Sequence, residues 1–126
     1  MNVPDELRYS TDHEWVRREG NLVTIGITAF AQDSLGDIVF VEAPEAGTAV
    51  AVGDSFTEVE STKSVSDIYA PVSGSISTIN EALESQPELL NNDPYGEGWI
   101  CTIEMSEPTE FDALLDADAY RALTEG

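Results

Sequence analysis

Apolar and polar residues alternate in short segments through the middle of the chain. These segments are rich in Val, Ile and Thr, which is typical of half-buried β-strands. One of them, DIVFVEA, is mostly apolar and predicts a mostly buried strand. The strands expected from this pattern are Leu22–Thr28, Asp37–Ala43, Thr48–Val52, Ser55–Ser61, Ser64–Ala70, Ser75–Ile79 and Trp99–Met105.

Two helical segments are expected between the strands. TAFAQDSLG predicts one or two helical turns, with Thr28 as N-cap and Gly36 at the C-terminal end. Asn80–Ser85 predicts a short helical turn capped by Asn80. The segment PELLNNDPYGEG, residues 87–98, reads as turns because Pro, Gly, Asn and Asp dominate it.

The C-terminal segment has a different pattern. Thr109 and Asp112 have the spacing of a capping box, and Asp116 is a candidate cap for a second helix. The apolar residues that recur there at helical spacing are Phe111, Leu114, Leu115, Ala119, Tyr120 and Leu123. The chain is therefore expected to form a mostly-β, sandwich-like domain with short helices and a helical C-terminus. At 126 residues it is expected to be one domain, spanning 1–126.

Charge narrows the classes of partner. The chain has 25 Asp and Glu residues and five Lys and Arg residues, which gives a formal net charge of −20. Nucleic acids and anionic membranes are disfavoured because they attract basic surfaces. Self-repulsion at this charge favours a soluble monomer. Either a salt-rich cytoplasm or an ordinarily acidic protein accounts for the composition.

The sequence also bears on the compartment. No stretch approaches the ~20 apolar residues of a membrane span, and the N-terminal residues lack the pattern of a secretory signal. Cys101 is the only cysteine, within the apolar run WICTIEM, so it is expected to be a buried small hydrophobe. We expect a cytoplasmic protein.

The chain contains one lysine, Lys63, and it lies between two predicted strands. A long side chain at a hairpin tip stands clear of the sheet. Its acidic neighbours in the sequence, Glu58, Glu60 and Asp67, favour a charged amine, whereas a Schiff-base lysine needs one that is easily deprotonated. This setting suits a lysine acylated by another enzyme; the alternative is an ordinary solvated loop lysine.

The segment DSFTEVESTKSVSDIYAPVSG, residues 54–74, resembles the lipoyl-attachment hairpin of glycine-cleavage H proteins, which carry Glu-Ser-x-Lys followed by Pro-x-Ser-Gly. HEWV, VTIGIT, AQDSLGDIVFVEAPEAGT, INEAL, LLNNDPYGEGW and DALLDADAY resemble further segments of that family in the family's order. Thr57, Ser64 and Val65 depart from residues common in the family. These departures concern the shape that a lipoyl ligase recognises and leave the lysine itself unchanged.

The resemblance implies a lipoyl-domain-like barrel-sandwich hybrid with two antiparallel sheets. It also implies a lipoate joined by an amide to Lys63, after the action of a lipoyl ligase or a lipoyl/octanoyl transferase. In the family's cycle, a pyridoxal-phosphate glycine decarboxylase loads an aminomethyl group onto the lipoyl arm. An aminomethyltransferase removes the group, and dihydrolipoamide dehydrogenase reoxidises the dithiol. The protein would thus be a carrier and not an enzyme.

In the family the loaded arm folds into a cleft lined by acidic or polar residues. The matching positions are Glu14 and Asp67, with Asp12 nearby. A carboxylate there would hold the cationic aminomethyl group; the alternative is that these are ordinary surface acids. His13, the only histidine, has no evident metal-binding or catalytic partners in the sequence. Trp15 and Trp99 are expected to pack in the core or at its edge.

Other classes of carrier or enzyme fit these residues less well, with one exception. A biotin carrier usually has Met on both sides of its lysine, where this chain has Thr62 and Ser64. Lipoyl modules of 2-oxo acid dehydrogenases are shorter and lack the HEW and DPYGEGW segments. An enzyme that uses Lys63 covalently is disfavoured by the acidic surroundings. A lipoate donor for other complexes stays open, because the sequence does not separate it from a glycine-cleavage role.

Overall fold

The structure is a computed structural model that describes residues 3–42 and 44–125, without the side chain of Glu125. The strands are β1 (Arg8–Tyr9), β2 (Glu14–Glu19), β3 (Leu22–Ile27), β4 (Ile38–Val41), β5 (Ala49–Val50), β6 (Ser55–Ser61), β7 (Val65–Tyr69), β8 (Gly74–Ile79) and β9 (Cys101–Met105). The helices are α1 (Ala29–Leu35), α2 (Ala82–Ser85), α3 (Leu89–Asn92), α4 (Thr109–Asp112) and α5 (Ala117–Glu125).

The strands form two antiparallel sheets. One sheet has six strands in the order β1-β2-β3-β9-β8-β5, and the other has three in the order β4-β6-β7. In the smaller sheet β6 is central, so β4 and β7 are its edge strands. The predicted fold class is confirmed: the protein is mostly β, with two antiparallel sheets and short helices that include a C-terminal one.

A hydrophobic core lies between the sheets. Both sheets contribute fully buried side chains, among them Ile25, Val59 and Ile103. Cys101 is also buried in this core, as the sequence predicts. A second cluster, which includes Tyr9, Trp15 and Tyr120, joins the N-terminal strands to α5.

Trp15 packs against β3 at a glycine, where the strand has no side chain. Trp15 pairs with Gly26 of β3, and a β-carbon built on Gly26 would lie 2.6 Å from the indole ring. The indole Nε1 donates to the Pro94 carbonyl at 2.7 Å. Trp99 is half-buried and packs against the same cluster, so both tryptophans have the packing role predicted for them.

The segments expected as strands are all strands in part, but the burial predicted for one of them is wrong. In β4, Ile38 and Val41 are buried, whereas Val39 and Phe40 are exposed. A bulge between Ile38 and Phe40 interrupts the register with β6, and the two exposed side chains lie on the face away from the core. Ala43, the last residue of the predicted segment, lies outside the described residues.

The predicted helix ends are partly correct. Thr28 caps α1 by accepting from the Ala31 N–H, and Gly36 is the C-cap residue. Asp116 likewise accepts from the Ala119 N–H at 2.8 Å in α5. The capping box at Thr109 is wrong, since Pro108 is the N-cap of α4 and makes no side-chain cap bond.

The other two short helices also differ from expectation. The N-cap of α2 is Glu81, one residue after the predicted Asn80, although Asn80 Oδ1 still accepts from the Ala82 N–H at 3.3 Å. Within residues 87–98, which read as turns alone, the structure contains α3. A helix of four residues is too short to display a helical period.

Candidate functional site: a hairpin lysine and an acidic pocket

Lys63 lies in the turn that joins β6 to β7. Glu60 and Val65 form the last strand pair before the turn. The Ser61 hydroxyl oxygen organises the turn, because it accepts from the backbone N–H of Lys63 at 3.2 Å and from that of Ser64 at 3.1 Å. The Thr62 N–H donates to the Asp37 carbonyl at 3.0 Å, which anchors the turn to the residues after α1.

The Lys63 side chain extends over Gly36. Residue 63 is exposed, and its Cε lies 3.3 Å from the position that a β-carbon on Gly36 would occupy. Gly36 has a φ of 82°, which favours glycine. Among residues 3–42 and 44–125, the ion pairs are those of Arg121 with Asp5 and Asp118, so Lys63 has no such partner there. The amine is therefore accessible to another protein.

Glu14 begins β2 and is buried, with 1% of the residue exposed. The Ser10 hydroxyl donates to Glu14 Oε1 at 2.5 Å. Burial raises the pKa of Glu14 to about 7, and the nearby charge of Asp12 adds to the rise. Hydrogen bonds from the Ser10 side chain and the Tyr69 backbone act in the opposite direction. A carboxyl group in this setting is poised between its neutral and charged forms near neutral pH.

Glu14 lines a pocket of about 210 Å³. Most of the exposed lining is apolar, and the polar groups come from the loop between β1 and β2 and from Glu14 itself. The residues around it are Tyr9, Ser10, Thr11, Asp12, Glu14, Val52, Gly53, Ala70, Pro71, Ala113, Leu114 and Leu115. A small apolar recess with one buried carboxyl can accept a compact group that carries a positive charge.

The structure brings together two of the three acids that the sequence indicated. Glu14 and Asp12 both line the pocket. Asp67 does not: it is exposed on β7, opposite Glu58 of β6, and accepts from the Ser55 hydroxyl at 3.2 Å. In the sequence, Asp67 lies between Lys63 and Tyr69, the residue whose backbone donates to Glu14. Asp67 does not line the pocket.

His13 and Tyr120 hold the segment that carries Glu14, and the sequence did not indicate this. His13 has a φ of 70°, which is unusual for a residue with a β-carbon. Its Nδ1 lies 2.8 Å from the Tyr120 hydroxyl, which is also 2.7 Å from Thr28 Oγ1. Burial lowers the pKa of His13. The helical spacing in the sequence marked Tyr120 as apolar, but gave no sign that its hydroxyl would link the C-terminal helix to these two residues.

The described residues show neither a metal site nor a membrane span. Within them, no group of three or more His, Cys, Asp or Glu side chains is arranged to hold a metal ion. No helix in that same part of the chain is long and apolar enough to cross a bilayer.

The two-sheet fold and the exposed lysine at a hairpin turn define the class of lipoyl-domain-like β-proteins. Residues 7–126 match the family model described as "Glycine cleavage H-protein". The chain is 57% identical over 124 residues to a glycine cleavage system H protein of Symbiobacterium thermophilum, covering 98% of this chain and 97% of that protein. The chain therefore belongs to the glycine cleavage H-protein family.

Two further relatives agree with this assignment. A probable glycine cleavage system H protein of Haloarcula marismortui is 56% identical over 121 residues, covering 96% of this chain and 95% of that protein. The crystal structure of a glycine cleavage system H protein from Mycobacterium marinum matches with a TM-score of 0.90 and 39% identity. That match covers 98% of this chain and 100% of the other.

Proposed function

We propose that the chain carries lipoate on Lys63 and shuttles the aminomethyl group of glycine from glycine decarboxylase to aminomethyltransferase, with dihydrolipoamide dehydrogenase as the reoxidising partner. The observation that supports this most directly is the exposed Lys63 amine in a hairpin turn of an H-protein-family chain. In this proposal the chain is a cytoplasmic monomer, and the partner enzymes supply the catalytic groups.

Attachment requires a free amine and an activated acyl group. The Lys63 Nζ would attack the carboxyl carbon of a lipoyl group activated by a lipoyl ligase or held by a lipoyl/octanoyl transferase. A C–N bond forms, the bond to the activating group breaks, and the amine loses a proton. The resulting amide has no charge, so the modification removes the lysine's positive charge from an acidic surface. The residues present fit this group because Lys63 is exposed and has no ion-pair partner among the described residues.

When attached, lipoate would supply a cyclic disulfide that accepts the aminomethyl group together with an electron pair; after aminomethyltransferase removes the group, dihydrolipoamide dehydrogenase would take two electrons from the dithiol through thiol–disulfide exchange. The protein's part is to present that group to successive active sites. Tethering to Lys63 raises the local concentration of the group at whichever enzyme is docked. The turn hydrogen bonds around Ser61 hold the attachment point in place.

The pocket beside Glu14 would shelter the loaded group between visits. The aminomethyl nitrogen is cationic, and a buried carboxylate can hold it by a charge-assisted hydrogen bond. Asp12 lines the same pocket and adds negative charge. Asp67, exposed on β7 between the lysine and Tyr69, would meet the arm along its route. Apolar lining residues would keep water away from the labile carbon–sulfur bond.

Intact mass measures the first part of this proposal. The chain is incubated with a lipoyl ligase and its acyl donor, alongside Lys63→Arg as the matched variant. One added lipoyl group that is absent from Lys63→Arg supports the attachment, whereas addition elsewhere or no addition refutes it. Reconstitution with glycine decarboxylase and aminomethyltransferase then separates a glycine-cleavage carrier from a lipoate donor for other complexes.

The second part concerns protection of the cargo. Glu14→Ala should speed the spontaneous release of the loaded group in water, measured as ammonia or formaldehyde set free per hour. Glu19→Ala, at an exposed glutamate of the same strand, is the control. Equal release rates for wild type and Glu14→Ala would remove Glu14 from the proposal and leave the attachment to Lys63 intact.

A further inference from the structure

Three apolar side chains are exposed beside the hairpin that carries Lys63. Val39, Phe40 and Val65 are 48%, 53% and 56% exposed. We call these three residues the apolar patch. A strand of a small acidic protein normally turns such side chains toward the core, and clustered exposure marks an interaction site more often than a scattered exposed residue does.

The strand register places the patch next to the lysine turn. Phe40 of β4 pairs with Glu60 of β6, and Glu60 pairs with Val65 of β7. Directly paired residues project from the same face of a sheet. Phe40 and Val65 therefore flank Glu60 on the outer face of the three-stranded sheet, in the last row before the turn that contains Lys63.

Glu60, between Phe40 and Val65, is exposed and acidic, and so are the next exposed positions on this face. Glu58 pairs with Asp67, and Glu42 donates its N–H to the Glu58 carbonyl at 2.9 Å. All three side chains are exposed, and none forms an ion pair in the described part of the chain, where the ion pairs are those of Arg121. Like charges directly opposite each other weaken a sheet. A basic surface of a partner protein that covered these three acids would offset their mutual repulsion.

We propose that the apolar patch is the docking surface for the enzyme that acylates Lys63. The complementary surface is an apolar depression bordered by Lys and Arg, which would contact the row of Glu42, Glu58 and Asp67. This inference rests on the proposed lipoylation of Lys63.

Geometry selects the acylating enzyme over the other partners. The acylating enzyme must bring the Lys63 Nζ itself into its active site, so its surface must cover the residues that border the turn. Enzymes that act on the finished arm meet a reactive end that lies many bonds from the lysine, and they need not approach this face. Apolar residues that become buried in such a contact carry most of its binding energy, while the acidic residues between and beyond them act through steering.

The test is the steady-state acylation of the full-length apo chain by a purified lipoyl ligase, followed by intact mass. The variants are Phe40→Ser and Val65→Thr, and the control is Leu123→Ser, which changes a 45%-exposed side chain of α5. We expect the KM for the carrier to rise about tenfold in Phe40→Ser with little change in kcat, since a buried aromatic anchor contributes that much affinity. Added salt should raise the wild-type KM by screening the acidic row. Val65→Thr keeps the β-branched shape of the side chain, so the strand should tolerate it. Urea unfolding of each variant checks that the sheet is intact.

The outcomes are distinguishable. Wild-type KM and kcat in both patch variants would overturn the docking surface while leaving lipoylation of Lys63 in place, whereas absence of acylation in the wild type refutes the proposed function itself. A wild-type dimer that becomes a monomer in Phe40→Ser would assign the patch to a second copy of the chain. Normal acylation of Phe40→Ser, with slow reaction of its preloaded form at glycine decarboxylase, would assign the patch to that enzyme. Both of these results overturn the inference.

Discussion

The Lys63 side chain lies across Gly36: a β-carbon on Gly36 would be 3.3 Å from Lys63 Cε and 3.8 Å from its Nζ. Gly36 ends α1 with φ 82° and ψ −153°, a conformation that is essentially restricted to glycine. One glycine thus both ends a helix and provides the surface over which the Lys63 side chain extends.

Gly36→Ala should therefore slow acylation of Lys63. An alanine at this φ and ψ strains the backbone of residue 36 and shifts the adjacent Asp37 carbonyl, which anchors the lysine turn through the Thr62 N–H. Strain of about 1 kcal/mol that persists in the transition state corresponds to roughly a fivefold lower rate. The measurement is the initial rate of lipoyl transfer by intact mass, at a temperature where circular dichroism shows the variant to be folded.

Gly20→Ala is the matched control. Gly20 also has a positive φ, 64°, but a β-carbon there would meet nothing within 4 Å. Both variants should lose stability through backbone strain. If Gly20→Ala slows acylation as much as Gly36→Ala, the effect comes from a general loss of stability and not from the position of Gly36 beside the lysine turn.

Glu14 should make the protein less stable as pH rises, whereas a carboxylate in an ion pair makes a protein more stable as pH rises. Its pKa is about 7 in the folded protein, above its ordinary value of 4.5. Between these values the folded state holds a proton that the unfolded state has lost, so stability falls as pH rises from about 4.5 to about 7. Glu14→Gln removes this penalty. The free energy of unfolding of Glu14→Gln minus that of wild type should therefore be larger at pH 8 than at pH 4, by up to about 3 kcal/mol.

The measurement is the free energy of unfolding in urea at pH 4, 6 and 8 for both proteins. The other carboxyl groups contribute to both and cancel in the difference. Glu19→Gln, at an exposed position of the same strand, should show no comparable trend. A constant difference between Glu14→Gln and wild type across this range would show that burial does not perturb Glu14.

The sequence predicted the hairpin at Lys63 because both flanking segments alternate and their period shows which positions form strands. The same alternation does not show what lies on the second face of a sheet. Val39 and Phe40 read as buried because they are apolar, yet both are about half exposed in the folded protein. Local pattern determines the strand, whereas tertiary packing determines which residues are buried.

Glu14 illustrates the same limit at the candidate site. The family resemblance indicated the residue, but its environment includes a hydrogen bond from the backbone of Tyr69, which lies 55 positions further along the chain. The contact of Tyr120 with His13 and Thr28 joins still more distant segments. Such contacts follow from how the sheets and the C-terminal helix meet, which a local sequence window does not contain.

Gly26→Ala tests the contact that fixes β2 on β3. A methyl group at residue 26 would overlap the Trp15 indole, which lies 2.6 Å from the position of the new carbon. Overpacking of this kind costs about 1–3 kcal/mol, measured as the free energy of unfolding in urea. In a Trp15→Phe background the smaller ring leaves more room, so the cost of Gly26→Ala should fall. Additive effects of the two substitutions would exclude a direct steric contact.

Tyr120→Phe removes the hydroxyl that links α5 to His13 and to the cap residue of α1. The ring can keep its stacking on Tyr9, whose centroid is 4.6 Å away, so the substitution isolates the hydrogen bonds. Thr28 is fully buried and would lose one of its partners, which costs about 1–3 kcal/mol in the free energy of unfolding.

Because His13 also holds a strained φ, amide hydrogen exchange in Tyr120→Phe should accelerate at residues 13 and 28 before the sheets open. Tyr9→Phe, which deletes only the bond to the Pro4 carbonyl, is the control. Equal acceleration of exchange in both variants would mean that each one destabilises the packing of the C-terminal helix in general. The Tyr120 hydroxyl would then make no specific contribution to the stability of the segment that carries Glu14.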